Sequence, residues 1–318
     1  MSKKFNDFLM EIGGKVMSTS MTWEEAAKEL NELTGNDYGE STYRKRYKYL
    51  CEGIDYINSK EDESYIRILS ISDLHIPFQR DAEVFSDFIG KVDILQLNGD
   101  IVDCQALSKF PKVFRMSPIE EIIEARRYCI GLIRMIKPKK VVVNVGNHDI
   151  RFQNYIAKNI DSDLLELMPR TSLQLIFVDG FKRYNKFTGE STSFKPIREV
   201  VDAEIEFVDD WYSQIGKTIF CHPLSFSSGM MATAEKARRY FKDSGYEFDT
   251  LVMAHTHRIG YYFVGDTRIY EQGAACDTSK MNYIDGKLTT PQKEGFIYLC
   301  QDSEGNLIKS TVQQIELN

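Results

Sequence analysis

Three short apolar runs in this chain each stop at a polar cluster, and that repetition constrains the fold more than any other feature. The clearest is residues 140–151, KVVVNVGNHDIR. Val141, Val142, Val143 and Val145 make the β-branched run of a buried parallel strand, which breaks at Gly146 and gives way to Asn147, His148 and Asp149. Upstream, a strand predicted over Ile66–Ile71 ends in Ser72-Asp73-Leu74-His75, and one over residues 94–97 ends in Asn98-Gly99-Asp100-Ile101-Val102-Asp103. Helical stretches at residues 81–92 and Pro118–Ile136 separate the runs. The order β-α-β-α-β then requires parallel strands joined by right-handed crossovers. In open α/β sheets ligands gather beyond the carboxyl ends of the strands. Gly-Asn-His-Asp alone is also an ordinary turn sequence, with Asn and Asp bonding their own backbone. Three consecutive strand ends of this kind are hard to assign to turn chemistry.

The histidines sharpen the pattern. The chain has five, at positions 75, 148, 222, 255 and 257, and each falls just past a predicted strand. Residues 218–221 precede His222, and residues 251–254 precede His255-Thr256-His257. Asp73/His75 and His255/His257 are spaced i, i+2, which in extended backbone aims both side chains to one side. Asp73, His75, Asp100, Asn147, His222, His255 and His257 are too many donors for one ion and suit a pair sharing one carboxylate. Mixed carboxylate, imidazole and amide donors favour Mn²⁺ first, with Fe or Zn²⁺ as alternatives, over Mg²⁺ or Ca²⁺.

A net charge of −7 means that any nucleic-acid contact must come from local basic patches. The six cysteines are scattered without a C-x-x-C pair, the usage of reduced thiols in a cytoplasmic protein. The first twenty residues lack a continuous apolar core of the secretory type, and no stretch approaches the roughly 20 apolar residues of a membrane span. No membrane partner is expected.

At 318 residues the chain accommodates one large domain and a small one, placed at residues 1–60 and 61–318. Residues 1–50 read as helical. Thr22 and Glu25 have capping-box spacing, and Ala26, Ala27, Leu30 and Leu33 define an apolar face behind them. Gly35-Asn36-Asp37 breaks that helix, and Ser41 is placed to cap a second one carrying Arg44, Lys45, Arg46 and Lys48. Helix, glycine-containing turn and basic helix resemble a helix-turn-helix DNA reader, though the turn is longer than usual. The competing reading is a helical hairpin with a solvated basic face, used for packing or assembly. Residues 52–65, EGIDYINSKEDESY, read as a linker, and residues 181–199 as a basic, aromatic loop. The tail from Arg258 alternates short strands and turns, as an antiparallel second sheet would.

The ordered set D-x-H (Asp73, His75), G-D-x-x-D (Gly99, Asp100, Asp103), G-N-H-D (Gly146 to Asp149), a lone His222 and H-x-H (His255, His257) resembles the calcineurin-like metallophosphoesterases. The match spans roughly residues 66–275. It implies a four-layer αββα sandwich, here an α/β (α+β) fold with a small all-helical N-terminal module. It also implies two ions, the first held by Asp73, His75, Asp100 and His257, the second by Asp100, Asn147, His222 and His255. By the same resemblance His148 stays off the metals and protonates the leaving oxygen. Asp103 orients it and keeps it protonated, and Asp149 braces the loop. Arg151 either forks a phosphate oxygen or is an exposed structural arginine. Asp103 is followed by Cys104-Gln105, where the phosphoprotein phosphatases of the superfamily carry Arg-Gly, which counts against that branch.

These motifs set a reaction class, phosphoester hydrolysis, and leave the substrate open. The basic second helix and residues 181–199, where Lys182, Arg183, Lys186, Lys195 and Arg198 interleave with Phe181, Tyr184, Phe187 and Phe194, point to DNA. The combination resembles proteins carried by phages, and a phosphodiesterase or nuclease is expected. The alternatives are a phosphomonoesterase whose N-terminal helices serve assembly, a solvated insertion at 181–199, and an inert DNA-binding regulator.

Overall fold

The computed structural model describes residues 3–58, 65–108, 116–168, 171–281 and 291–317. The chain opens with α1 (Lys3–Met17), α2 (Trp23–Thr34) and α3 (Glu40–Asn58). The Thr22/Glu25 capping box forms, and Gly35 ends α2 in the left-handed region at φ 68°. Two expectations need correction. Helix α3 begins at Glu40, so Ser41 lies inside it and is not its cap. It also runs to Asn58 through much of the expected linker, whose residues 59–64 lie outside the described residues.

These three helices pack onto the main domain. Leu9, Ile12, Leu30 and Tyr43 are buried in one apolar cluster with Phe85, Leu132 and Met135. Closeness is built into the sequence there: a Cβ at Gly131 would sit 2.9 Å from the Met17 carbonyl oxygen.

Strands β1 (Ile66–Ile71), β2 (Ile94–Asn98) and β3 (Lys140–Asn144) are parallel neighbours, joined across α4 (Pro118–Ile136) as the β-α-β order requires. Helix α4 has Ser117 as N-cap, Pro118 in its first turn and Lys137 as a left-handed C-cap. After β3 comes α5 (Arg151–Asn159), then a hairpin of β4 (Phe181–Tyr184) and β5 (Ser191–Phe194). The expected 181–199 loop is thus a hairpin, closed by stacking of Phe181 on Phe194 at 4.9 Å.

The remaining strands are β6 (Glu204–Val208), β7 (Tyr212–Ile215), β8 (Thr218–Cys221), β9 (Thr250–Met253), β10 (Ile259–Val264), β11 (Thr267–Gln272), β12 (Gly295–Gln301) and β13 (Gln313–Glu316), with a helix at Ala232–Asp243. One sheet has the order β13-β12-β1-β2-β3-β6, the other β10-β11-β9-β8-β7. The tail therefore divides between the sheets instead of forming one antiparallel sheet. Strand β11 pairs parallel to β9, while β12 crosses to pair antiparallel to β1.

Alternation of side chains makes the layers. On β8, Ile219 and Cys221 face the helix at Ala232–Asp243, while Phe220 turns inward to meet Ile68, Val252 and Ile297. On β1, Leu69 and Ile71 face the helical side with α4. The result is helix, sheet, sheet, helix. Between the sheets also runs a buried polar chain. Asn98 Nδ2 donates to Gln272 Oε1 at 3.4 Å, Ser213 Oγ to Gln96 Oε1 at 3.0 Å, Ser70 Oγ to Gln272 Oε1 at 2.9 Å, and Gln301 Nε2 to Thr218 Oγ1 at 2.8 Å. Directional bonds across an otherwise apolar interface fix how one sheet sits on the other.

Candidate active site

That fixed seating matters because the polar strand ends of both sheets meet at one edge. Asp73 and His75 follow β1, Asp100 and Asp103 follow β2, and Asn147 and His148 follow β3. His222 follows β8, and His255 and His257 follow β9, so the second sheet supplies three imidazoles. All of the expected donors are brought together. Asp73, His75 and His257 form one close group, and Asp100, His222 and His255 another; His148 also lies close to His75 and Asp100.

The backbone achieves this differently from the extended spacing expected of the two i, i+2 pairs. Asp73, His75, Asp100, His255 and His257 all have positive φ, between 44° and 79°. Left-handed conformations cost non-glycine residues about 1–2 kcal/mol each and persist where surrounding contacts over-determine them. Here the carbonyls of Gly99 and Asp100 accept the amides of Asp73 and His75 at 3.1 and 3.0 Å. Two glycines clear the space. A Cβ on Gly146 would lie 2.2 Å from Asp100 Oδ1, and one on Gly99 would lie 2.7 Å from the His222 ring.

Hydrogen bonds set the tautomers. His75 Nδ1 donates to Asp103 Oδ1 at 3.1 Å, leaving Nε2 as a bare acceptor 3.2 Å from His257 Nε2 and 3.7 Å from both Asp73 Oδ1 and Asp100 Oδ2. His222 Nδ1 donates to the Asn98 carbonyl at 2.9 Å, so its Nε2 faces Asp100 Oδ2 at 3.2 Å and Asn147 Oδ1 at 3.3 Å. Asn147 Oδ1 also lies 2.6 Å from His255 Nδ1. His255 Nε2 and His257 Nδ1 are buried without a hydrogen-bond partner.

Acceptors converging on acceptors require a cation between them. In its absence protons take that place. Burial alone would lower the His75 pKa, but hydrogen bonds to Asp103 and Asp73 and the charge of Asp100 raise it to about 10. His222 rises to about 9 against burial, through Asp100 and Asp73. Burial opposes ionisation of Asp73 and Asp100, yet the histidines hold both well below the carboxylate range. The donor set is that of a divalent-cation centre.

His148 stands beside this group. Its Nδ1 donates to Asp103 Oδ1 at 2.6 Å and its backbone amide to Asp100 Oδ1 at 2.7 Å. Arg151 donates through Nη2 to His148 Nε2 at 2.9 Å and through Nη1 to the Asp103 carbonyl at 3.0 Å. An imidazole accepting at Nε2 while donating at Nδ1 is neutral. Burial lowers the His148 pKa, with charged His75 adding to it, and the pull of Asp100 and Asp103 does not make up the difference. The expectation that Asp103 keeps His148 protonated is corrected on this point. Asp149 accepts the amides of Val102 and Gly146 at 3.0 and 2.9 Å, tying two strand-end loops together.

The expected DNA-contacting residues lie elsewhere. Arg44, Lys45 and Lys48 are exposed on α3, Arg44 paired with Glu40. Arg46 lies 4.3 Å from the centre of the Tyr38 ring. On the hairpin, Arg183 pairs with Glu120 of α4, and Phe187 is fully exposed. Reading the sequence for strand ends missed Gln96 and Asn144, and named Asn98 only as part of a strand end. Their signal was present: amides inside strands that are otherwise Ile, Leu and Val.

All six cysteines are buried and none is joined in a disulfide. Among the described residues, no helix is long and apolar enough to cross a membrane.

Comparison with known proteins accords with this geometry. Residues 2–62 match a family model described as the YonJ N-terminal domain. The SPbeta prophage-derived uncharacterized protein YonJ of Bacillus subtilis is 36% identical over 52 residues, which are 16% of this chain and only 13% of that protein. An archaeal phosphodiesterase of known structure is 16% identical, covering 79% of this chain and 100% of its own, with a TM-score of 0.36. Vps29 of Entamoeba histolytica in complex with zinc is 15% identical, covering 79% and 98%, with a TM-score of 0.37. The model of the calcineurin-like phosphoesterases matches residues 66–258, well over half of the chain and the whole run of donors from Asp73 to His257, and the protein belongs to that family.

Proposed function

We propose that the protein is a two-metal phosphodiesterase whose substrate is DNA. The observation that carries the phosphoester chemistry is the meeting of Asp73, His75 and His257 with Asp100, His222 and His255, with Asp100 also 3.7 Å from His75 and His148 beside them on the Asp103 side, while the diester preference rests on the surface cations described below. In this reading Asp73, His75, Asp100 and His257 hold one ion and Asp100, Asn147, His222 and His255 the other, Mn²⁺ being the first choice. Such a pair supplies Lewis acidity toward the phosphoryl group and a nucleophile near neutral pH. The chain's own residues do the rest. Asp100 spans the two positions, and its backbone is held by the space Gly146 leaves open. Once Arg151 leaves Nε2 for the substrate, His148, oriented by Asp103 through Nδ1, would take up a proton at Nε2 from water and pass it to the leaving oxygen. Arg151, which covers Nε2 here, transfers its guanidinium to a phosphate oxygen when the substrate's charge arrives.

DNA is favoured by the exposed cations of α3, where Arg44, Lys45 and Lys48 face solvent. A second reading has its own support. Helix α1 is buried in the main core and Arg46 is engaged with Tyr38, as in a module that serves assembly, which fits a phosphomonoesterase. One experiment separates them: purified protein with Mn²⁺ assayed in parallel on linear DNA, circular DNA, bis-p-nitrophenyl phosphate and p-nitrophenyl phosphate. Cleavage of DNA and of the diester supports the first reading. Turnover of the monoester alone overturns it.

A further inference from the structure

The β4–β5 hairpin belongs to neither main sheet, and its two faces differ. Directly opposed residues of an antiparallel pair share a face. Phe181 opposite Phe194 and Arg183 opposite Thr192 make the face toward α4, where Arg183 pairs with Glu120 and the Arg126 guanidinium lies 5.9 Å from the centre of the Phe194 ring. Lys182 opposite Ser193 and Tyr184 opposite Ser191 make the other face, and all four are exposed. The turn between the strands is bonded into one shape. Asn185 Oδ1 accepts the Phe187 amide at 2.9 Å, and the Asn185 carbonyl accepts the Gly189 amide at 2.9 Å. That turn holds Lys186 beside a Phe187 ring that is 100% exposed, more than any other large apolar side chain described. Neither Lys182 nor Lys186 has a carboxylate partner among the described residues.

Contacts along α4 give the hairpin a direction. Arg134 donates to the Val200 carbonyl at 3.0 Å near the end of α4, and Arg126 to the Lys195 carbonyl at 2.7 Å in its middle. Arg183 reaches Glu120 in the first turn. From Val200 back to Arg183 the chain therefore climbs α4, and the turn at residues 185–190 stands beyond the helix's start. Glu121, next to Glu120, accepts the Gln105 amide at 2.9 Å, two residues past Asp103. The tip is thus carried on the edge where the donors gather.

We propose that this hairpin is an arm that binds a single-stranded segment of DNA on the same edge as the metal site. Phe187 and Tyr184 stack on bases, Lys182 and Lys186 meet phosphates, and the hydroxyls of Ser191 and Ser193 donate to the same backbone. The proposal rests on the reading that DNA is the substrate and deepens it by requiring unpaired bases. Charge and shape select this occupant. Residues 181–194 carry three cations and one carboxylate, Glu190, in a chain of net charge −7, so the arm draws a polyanion that the surface as a whole does not. A ring held clear of the protein is a platform for any base, while bases inside a duplex are already stacked on one another.

The test uses the full-length protein in EDTA, which holds cleavage off. Binding of a fluorescein-labelled oligodeoxythymidylate, and of a blunt duplex of equal length, is followed by anisotropy. Wild type is expected to prefer the single strand. Phe187→Ala, which disturbs no packing, is expected to weaken that binding about 5- to 100-fold, the worth of one base stack, and Phe187→Trp to retain it. Lys186→Gln is expected to weaken binding and lower the slope of log affinity against log salt by about 0.7, one phosphate on a single strand. With Mn²⁺ present, Phe187→Ala should lower kcat/KM on the oligonucleotide relative to bis-p-nitrophenyl phosphate. Unchanged strand affinity in both Phe187→Ala and Lys186→Gln overturns the proposal and makes the hairpin a solvated insertion. Phe187-dependent pelleting with phosphatidylglycerol vesicles, or a Phe187-dependent dimer by size-exclusion chromatography, without strand binding also overturns it. If wild type and both variants cut DNA equally well, the arm falls and the DNA reading stands. Phe187-dependent strand binding without any cleavage of DNA supports the arm and sinks that reading.

Discussion

Asp103→Asn tests the site at the residue on which two imidazoles depend. One buried oxygen, Oδ1, accepts from His148 Nδ1 at 2.6 Å and from His75 Nδ1 at 3.1 Å. Asparagine keeps the shape and removes the charge. A hydrogen bond to a charged partner contributes about 1.5–3 kcal/mol and a neutral one about 0.5–1.5, so each of the two bonds loses about 1–1.5 kcal/mol. Together that is about 2–3 kcal/mol, or roughly 30- to 150-fold at 1.36 kcal/mol per decade. The His75 share falls on the ion it faces, weakening metal binding about 10-fold or more, as loss of a carboxylate behind a ligating histidine usually does. The His148 share falls on turnover, about 10-fold at saturating metal. If the new amide presents its NH₂ to the two rings, both must move their proton to Nε2, and the metal loss becomes larger. Metal affinity is read by competition with a fluorescent chelator, turnover on bis-p-nitrophenyl phosphate, and folding by circular dichroism. Metal affinity and kcat both within twofold of wild type would refute the orienting role. An unfolded variant would move the effect to stability.

Three further outcomes are expected. His148→Ala should keep its metal and lose about 10²- to 10⁴-fold in rate, less for p-nitrophenolate leaving groups that hardly need a proton; loss of metal together with rate would make His148 a ligand. Gly146→Ala should release metal and activity together, because its Cβ falls 2.2 Å from Asp100 Oδ1 and 2.4 Å from Asp100 N; full metal content by elemental analysis would show that the loop yields. Metal binding should release close to two protons at pH 7, because His75 and His222 titrate at about 10 and about 9 in the metal-free site and bind only when neutral. The stability side has a definite sign: both values are raised above the ordinary 6.5, so this contribution is complete below pH 6.5 and lost as pH rises through 9 to 10. The Tm of metal-free protein should fall over that window, and a flat profile would contradict the cation-site electrostatics.

The N-terminal segment shows how far local patterns reach. Thr22, Glu25 and Gly35 mark the ends of α2 because capping is decided within one turn of backbone. The reach of α3 to Asn58 was hidden by a polar composition that read as linker, and burial of α1 against α4 was hidden because an apolar face does not name its partner. Donors at the strand ends were legible in the same way as the caps. Each is bound to a short β-branched run, and strand periodicity needs only neighbouring residues to declare itself. Two packed sheets with helices outside were implied by the motif resemblance and agree with the element order. The strand order was beyond alternation, and the tail crosses from β11 in one sheet to β12 in the other. Long-range pairing depends on which edge is left open once the rest has folded.

By itself, then, the chain determined which candidate donors stand at its strand ends, Asp73, His75, Asp100, Asn147, His222, His255 and His257, since residue chemistry and strand termination are local properties. Only the tertiary structure decided how they act. The left-handed backbone at Asp73, His75, Asp100, His255 and His257 is held by contacts between loops. The seating of one sheet on the other comes from Gln96, Asn98 and Gln272, whose partners lie far away in sequence. The tautomers of His75 and His222 are set by Asp103 and the Asn98 carbonyl. Arg151 rests on His148 because α5 begins where the loop ends. Each of these depends on atoms that folding brings within hydrogen-bonding or ion-pairing distance, and a hydrogen bond forms only once that distance is closed.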